Sequence, residues 1–261
     1  KTALVEALAQ RIAKAGIAEL AHPDIVYVSP LSRAIQTAVI ALGPTLAAPG
    51  GLGEIVLLAN AREKQNFGGM DSRSSRTGSD VLRNSLDELR TLYQDQGNET
   101  AVENFARLRF DARDVEDRWW FEGMAESPAQ LRARMQEFVA QLLYSPHRVT
   151  VVVGHSHFFR AVFHGFSSES FCAEKGLAGS LAKKKLMNCG AVRLELDPER
   201  GVANGPIVGA ELVLGSRLES EGLGLLACCT APGGDSPELS QNEGDLFIER
   251  DDVACEPSSA P

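Results

Sequence analysis

The sequence lacks the features that mark several broad classes of protein. No apolar run approaches the roughly 20 residues that a membrane-spanning helix needs. The five cysteines form neither a Cys-x-x-Cys pair nor a regular framework, which argues against a disulfide-rich scaffold and favours a reducing compartment. The net charge of -9 gives no overall basic footprint for nucleic acid. We therefore expect a cytoplasmic protein whose partners include neither membranes nor nucleic acids.

What is present is an alternation of strand and helix patterns. Apolar spacing predicts strands over 25–28, 149–153, 191–196 and 209–214, and helices over 1–17, 29–42, 80–96, 99–113 and 127–142. The segment 47–79 is rich in Gly, Ser and Asn, shows no sustained period, and predicts a long loop. This order of elements is typical of an α/β fold, a three-layer α/β/α sandwich around a mostly parallel sheet.

The same patterns indicate one domain followed by a tail. We expect the domain to cover residues 1–216, with a loop and helical cap insertion at 47–126. Residues 217–261 are rich in Gly, Pro, Ser and acidic residues, which predicts a low-complexity, disordered tail. Because a helical pattern begins at once, we expect the chain to start inside a fold, with any targeting segment upstream.

Two helix starts carry local signals. Ser29 and Pro30 suit the N-cap and first position of the helix that follows strand 25–28. Ser127 and Gln130 have the spacing of a capping box, and Pro128 stands in the first turn. We therefore predict that helices begin at these two places.

Strands 25–28 and 149–153 predict a ligand site at one edge of the sheet, since ligands of parallel sheets bind beyond the carboxyl ends of the strands. Arg33 follows the first of these strands, and His155 ends the second. A guanidinium, an imidazolium and the amino ends of two helices together suit a phosphoryl group. Taken alone, Arg33 is better explained as half of a surface ion pair, but the pair predicts a phosphate-binding crevice.

The segment around Ser156 permits two other interpretations. As a nucleophile elbow it would make Ser156 the nucleophile of an α/β-hydrolase, but Phe158 stands where a small residue is needed, and no histidine follows His164 to complete a triad. As a metal site it would use His155, His157 and His164, but no carboxylate or cysteine stands at a ligand spacing. We therefore predict no metal site here.

Several segments resemble the histidine phosphatase superfamily, whose members have the phosphoglycerate mutase-like fold. SPLSRAIQTA at 29–38 is similar to that family's Ser-Pro-Leu-x-Arg-Ala-x-x-Thr-Ala segment, and VVVGHSHFFRAV at 151–162 is similar to its second histidine segment. AREKQNFGGMDS at 61–72 and EDRWWFEGMAES at 116–127 also look like parts of this family. The resemblance covers the part of the chain from the first helix to the strand at 191–196.

The resemblance implies a mechanism and assigns roles within it. Arg33, His155 and Ser156 would bind the phosphoryl group, and Glu63 would be the proton donor. In this family a histidine of an Arg-His-Gly segment forms a phosphohistidine, without a metal or organic cofactor. No Arg-His-Gly occurs in this sequence. We therefore expect that segment upstream of the chain, and negligible turnover by the chain itself.

The implied function is phosphomonoester hydrolysis or phosphoryl transfer on a small phosphorylated substrate or a phosphopeptide. The alternative is a protein that keeps the phosphate pocket without catalysis and serves in binding or as a scaffold. We favour hydrolysis over mutase transfer, because the loop after Glu63 shows little basic clustering besides Arg73 and Arg76. Glu54 and Glu122 compete with Glu63 for the role of proton donor. The sequence gives no indication of the oligomeric state.

Overall fold

The computed structural model of the chain describes residues 2–64, 77–116, 126–173 and 176–219. Arg73, Arg76 and Glu122 lie outside these ranges, as does the predicted tail from residue 220 onward. The helices in the described ranges are α1 Thr2–Ala15, α2 Ala18–Ala21, α3 Ser32–Leu46, α4 Gly78–Asp95, α5 Glu99–Arg107, α6 Pro128–Leu143, α7 Ser156–Phe166, α8 Glu169–Ala173 and α9 Leu177–Lys183. The strands are β1 Ile25–Val28, β2 Glu54–Leu57, β3 Arg109–Asp111, β4 Thr150–Val153, β5 Lys185–Leu186, β6 Ala191–Leu196, β7 Ile207–Val213 and β8 Leu218–Glu219.

Four of these strands form one parallel sheet in the order β3-β2-β1-β4. β1 lies inside the sheet and pairs along its whole length with β4, from Ile25 opposite Thr150 to Val28 opposite Val153. β6 and β7 form a separate antiparallel hairpin, and β5 pairs with β8. The structure therefore confirms an α/β protein with a mostly parallel sheet.

Helices cover both faces of the four-stranded sheet. Val26 and Val28 are fully buried in a core shared with α1, α3, α4 and α5. Tyr27 lies in a second core with α6, α7 and α9. Successive side chains of a strand point to opposite faces, so β1 supplies both cores. The resulting order of helix layer, sheet and helix layer is compatible with the expected three-layer sandwich.

Two of the predicted elements are wrong in part. Segment 47–79, predicted as a loop, contains strand β2, and segment 99–113, predicted as a helix, contains strand β3. β2 lies against β1, with Ile55 and Leu57 fully buried. α5 ends at Arg107, and β3 extends the sheet beyond β2. Strands of three or four residues are too short to show a period, so their identity depends on the neighbouring strand. Segment 47–126 is thus part of the sheet as well as a source of helices.

The two predicted helix starts have different outcomes. The capping box is confirmed: Gln130 N donates to Ser127 Oγ at 3.3 Å, and Ser127 N donates to Gln130 Oε1 at 2.9 Å. For α3 the prediction is wrong, because the N-cap is Leu31 and the helix begins at Ser32. The hydroxyl of Ser29 is instead directed at a long-range partner, which is described with the site below.

The ends of the described region add two facts. Leu218 and Glu219, which the sequence places in the tail, pair with β5, so regular structure extends beyond residue 216. Within the described ranges, no helix combines the length and apolar character that crossing a membrane would require.

Candidate functional site

Arg33 and His155 come together at one edge of the sheet. β1 and β4 are neighbouring parallel strands, so their carboxyl ends lie side by side. Arg33 stands in the first turn of α3, and His155 is the N-cap of α7. Arg33 Nε donates a hydrogen bond to His155 Nδ1 at 3.2 Å. Two residues 122 positions apart in the chain therefore meet where the sequence analysis expected a ligand.

Ser29 completes a three-residue arrangement that sequence reasoning missed. Its Oγ lies 2.7 Å from His155 Nε2. Because Nδ1 accepts from the guanidinium of Arg33, the ring proton of a neutral imidazole must be on Nε2, which donates to Ser29. Ser29 is fully buried, and His155 is 5% exposed. The imidazole is therefore held in one tautomer and one orientation.

The surroundings of His155 keep its imidazole neutral. Burial, together with the positive charges of Arg33 and Arg134, lowers the pKa of His155 to about 3. The prediction of an imidazolium that donates to an anion is therefore wrong for the arrangement described. The cationic partner at this edge of the sheet is the guanidinium of Arg33.

Glu63 lies at the amino end of α7. Its Oε1 accepts hydrogen bonds from Phe158 N at 2.9 Å and from Lys64 N at 2.9 Å. Phe158 is the third residue of α7, so the carboxylate satisfies one of the amides that have no partner within the helix. Glu54, in contrast, begins β2 and is exposed. Of the described candidates for the proton donor, Glu63 is the one bonded to the first turn of α7, the helix whose N-cap is His155.

Ser156 is the first residue of α7 and is half-buried. The imidazole of His155 is not available to its hydroxyl, since Nε2 is bonded to Ser29 and Nδ1 to Arg33. Phe158 is fully buried, and its ring meets that of Phe138 edge to face at 5.2 Å. Among described residues the amides of Ser156 and His157 have no recorded acceptor, so this first turn can donate to an anion.

A buried arginine supports this site from α6. Arg134 is 4% exposed, and its guanidinium binds both carboxylate oxygens of Glu126, at 2.7 and 2.6 Å. Sequence reasoning missed Arg134, although a signal exists. It lies three residues after Leu131 and four before Phe138, on the apolar stripe of an amphipathic helix where a charged residue is unexpected.

The other histidines are spread over the surface. His157 and His164 are exposed on α7, and the ring of His157 lies 3.4 Å from Arg160. In the ranges covered by the structure, no group of three His, Cys, Asp or Glu side chains could hold a metal ion. His22 and His147 precede β1 and β4, so they line a cavity of about 610 Å³ at the opposite end of the sheet.

Comparison with known proteins adds no relative. No protein-family model matches the chain, and neither curated protein sequences nor solved structures give a match.

Proposed function

We propose that the edge of the sheet formed by β1 and β4 binds the phosphoryl group of a phosphomonoester, for hydrolysis or phosphoryl transfer. The observation that carries the proposal is the contact between Arg33 and His155 beyond two neighbouring parallel strands. Such an edge is the usual ligand site of α/β proteins. The proposal includes the phosphoglycerate mutase-like form of the fold, for which the support is the resemblance of segments 29–38 and 151–162 to the histidine phosphatase superfamily.

Two sources of positive potential lie at this edge. The guanidinium of Arg33, whose Nε is bonded to His155, has the planar, two-pronged geometry that suits phosphate oxygens. The amides of Ser156 and His157 open α7, whose dipole favours an anion at its amino end. His155 acts by orienting Arg33. The ligand is therefore a compact anion with several acceptor oxygens.

Glu63 would serve as the proton donor to a leaving alkoxide. Its carboxyl group is bonded to an amide of the same helix turn that would receive the phosphoryl group. A donor must lie within hydrogen-bond reach of the oxygen that it protonates, and the bond to Phe158 N holds this carboxyl at the end of α7 where we propose that the phosphoryl group binds. This role rests on the resemblance and on that proximity.

The nucleophile in this scheme is the histidine of an Arg-His-Gly segment, which this sequence does not contain. His155 is unsuited to the role, because Nδ1 accepts from Arg33 and Nε2 donates to Ser29. The same observation favours a second candidate function, in which the chain binds a phosphorylated ligand or peptide without turning it over.

Isothermal titration calorimetry with inorganic phosphate as the ligand tests the proposal. The comparison uses the unmodified chain, Arg33→Ala, and Arg132→Ala, which removes an exposed arginine from α6. We expect Arg33→Ala to weaken phosphate binding by roughly tenfold or more, since charge-assisted hydrogen bonds are lost, and Arg132→Ala to leave it nearly unchanged. Equal effects of the two variants, or no binding by the unmodified chain, would overturn the proposal.

Hydrolysis of p-nitrophenyl phosphate separates the two candidate functions. Phosphate binding together with turnover that requires Arg33 supports catalysis by the chain. Phosphate binding with negligible turnover is the result that we expect, because the nucleophilic histidine of the scheme is absent from this sequence, and it supports binding without turnover as the function of the chain itself.

A further inference from the structure

We infer that Arg134 is the positioning residue for Glu63, and that it holds this carboxylate at the amino end of α7. The role given to Glu63 rests on the proposed function, whereas the arrangement itself does not. Arg134 belongs to α6 and lies far from Glu63 in the chain. It acts through the backbone before Glu63 and through the residue to which Glu63 is bonded.

The first link runs from Arg134 to the segment that carries Glu63. Nη1 of Arg134 donates to the carbonyl oxygen of Asn60 at 3.0 Å and to that of Arg62 at 2.9 Å. The second of these carbonyls belongs to the peptide unit that joins Arg62 to Glu63. The guanidinium therefore fixes the backbone immediately before the carboxylate.

The second link runs from Arg134 to α7. Its guanidinium carbon lies 4.6 Å from the centre of the Phe158 ring, in cation–π contact. Phe158 is also the residue whose amide donates to Glu63 Oε1. Arg134 thus contacts both sides of the Glu63–Phe158 hydrogen bond without touching the carboxylate itself.

The third link compensates the buried charge. Glu126 accepts from Nε and Nη2 of Arg134 and also lies 3.5 Å from Arg62. Burial, together with the neighbouring positive charge of Arg134, lowers the pKa of Arg62 to about 10, and the carboxylate of Glu126 acts in the opposite direction. A buried ion pair can often be replaced by apolar residues without loss of stability. What apolar residues cannot do is donate to the two loop carbonyls.

Amide hydrogen exchange of Phe158 tests the positioning role directly. Arg134→Lys keeps the charge but cannot supply the planar fork that reaches Glu126 and both carbonyls. We expect exchange at Phe158 to rise by roughly tenfold or more, while exchange at Val162, farther along α7, stays unchanged. Arg132→Lys, on the exposed face of α6, should change neither amide.

A second variant guards against failure of Arg134→Lys to fold. The double substitution Glu126→Met and Arg134→Met replaces the buried pair by apolar side chains and should remain folded, yet it also removes the donors to Asn60 and Arg62. Faster exchange confined to Phe158 in either variant supports the inference. Three outcomes would overturn the inference and leave Arg134 a role in stability alone. These are unchanged exchange at Phe158, an equal rise at Val162, and failure of both variants to fold.

Phosphate affinity in the same samples distinguishes this inference from the proposed function. When the carboxylate of Glu63 is no longer held at the amino end of α7, its negative charge no longer opposes the phosphate, and the amide of Phe158 can donate to the ligand. Phosphate should therefore bind roughly twofold to fivefold tighter in Arg134→Lys and in Glu63→Gln, whereas general damage would weaken binding. Absence of phosphate binding by the unmodified chain contradicts the proposed function and leaves the exchange result to decide the role of Arg134.

Discussion

Ser29→Ala isolates the hydrogen bond that orients His155. In the described structure Ser29 Oγ, 2.7 Å from His155 Nε2, is the acceptor recorded for that ring nitrogen. Loss of the hydroxyl leaves a buried N–H without a partner. A change of tautomer cannot repair the loss, because a proton moved to Nδ1 would point at the Nε–H of Arg33, 3.2 Å away. The substitution thus removes the Ser29 hydroxyl and leaves the imidazole of His155 without an arrangement that satisfies both of its ring nitrogens.

The expected loss of unfolding free energy is about 1–3 kcal/mol, the cost of leaving a buried polar group unpaired. Two observations place it within this range. His155 is 5% exposed, so water cannot readily replace the hydroxyl. The second donor to Ser29, the amide of Leu31, is 3.4 Å away and adds little at that distance.

Urea unfolding followed by circular dichroism measures this loss. Ser32→Ala is the matched control, because Ser32 is exposed in the first turn of α3 and should change stability by no more than about 0.5 kcal/mol. A double-mutant cycle with His155→Gln should give a coupling of about 0.5–3 kcal/mol between Ser29 and His155. Equal losses for the two serine variants, or a coupling near zero, would refute the argument.

Two further perturbations address the same region. His155 is protonated near its ordinary pKa of 6.5 in the unfolded chain, but only near 3 in the folded protein. The free energy of unfolding should therefore fall as the pH drops from 6.5 to 3, by up to about 1.4 kcal/mol per pH unit. Urea unfolding at several pH values should show a shallower pH dependence for His155→Gln, and identical slopes for the two proteins would contradict this explanation. A Cβ added at Gly154 would lie 2.7 Å from Phe159 Cζ and 3.4 Å from the carbonyl oxygen of Ala61, so Gly154→Ala should cost about 1–3 kcal/mol, whereas Gly165→Ala, with open space around its Cβ, should not lower the melting temperature.

The sequence predicted the elements whose signals are local. Residues 149–153 form a largely apolar run of strand length, and the capping box of Ser127 and Gln130 closes over four residues. The meeting of Arg33 and His155 followed from one general rule, that parallel strands end at a common edge. These inferences needed no knowledge of which side chains touch.

What the sequence could not predict depends on partners remote in the chain. Ser29 carries a good N-cap signal, but a buried imidazole 126 residues away takes its hydroxyl, and the helix begins three residues later. The sequence places Arg134 on the apolar stripe of α6, but it does not show that the carbonyls of Asn60 and Arg62 are its acceptors. Such contacts are set by tertiary packing, for which a single sequence has no local pattern.

The packing of the two cores and the position of Ser29 beside His155 both depend on the alignment of β1 with β4. Ser29 N donates to Val153 O at 2.9 Å, which continues the pairing of Val28 with Val153 into the loops. Sliding β1 by one position would exchange the side chains that face each helix layer and would also carry Ser29 away from His155. Selection for a well-filled interior therefore preserves this polar constellation as well, and substitutions that retune the site must leave the strand alignment intact.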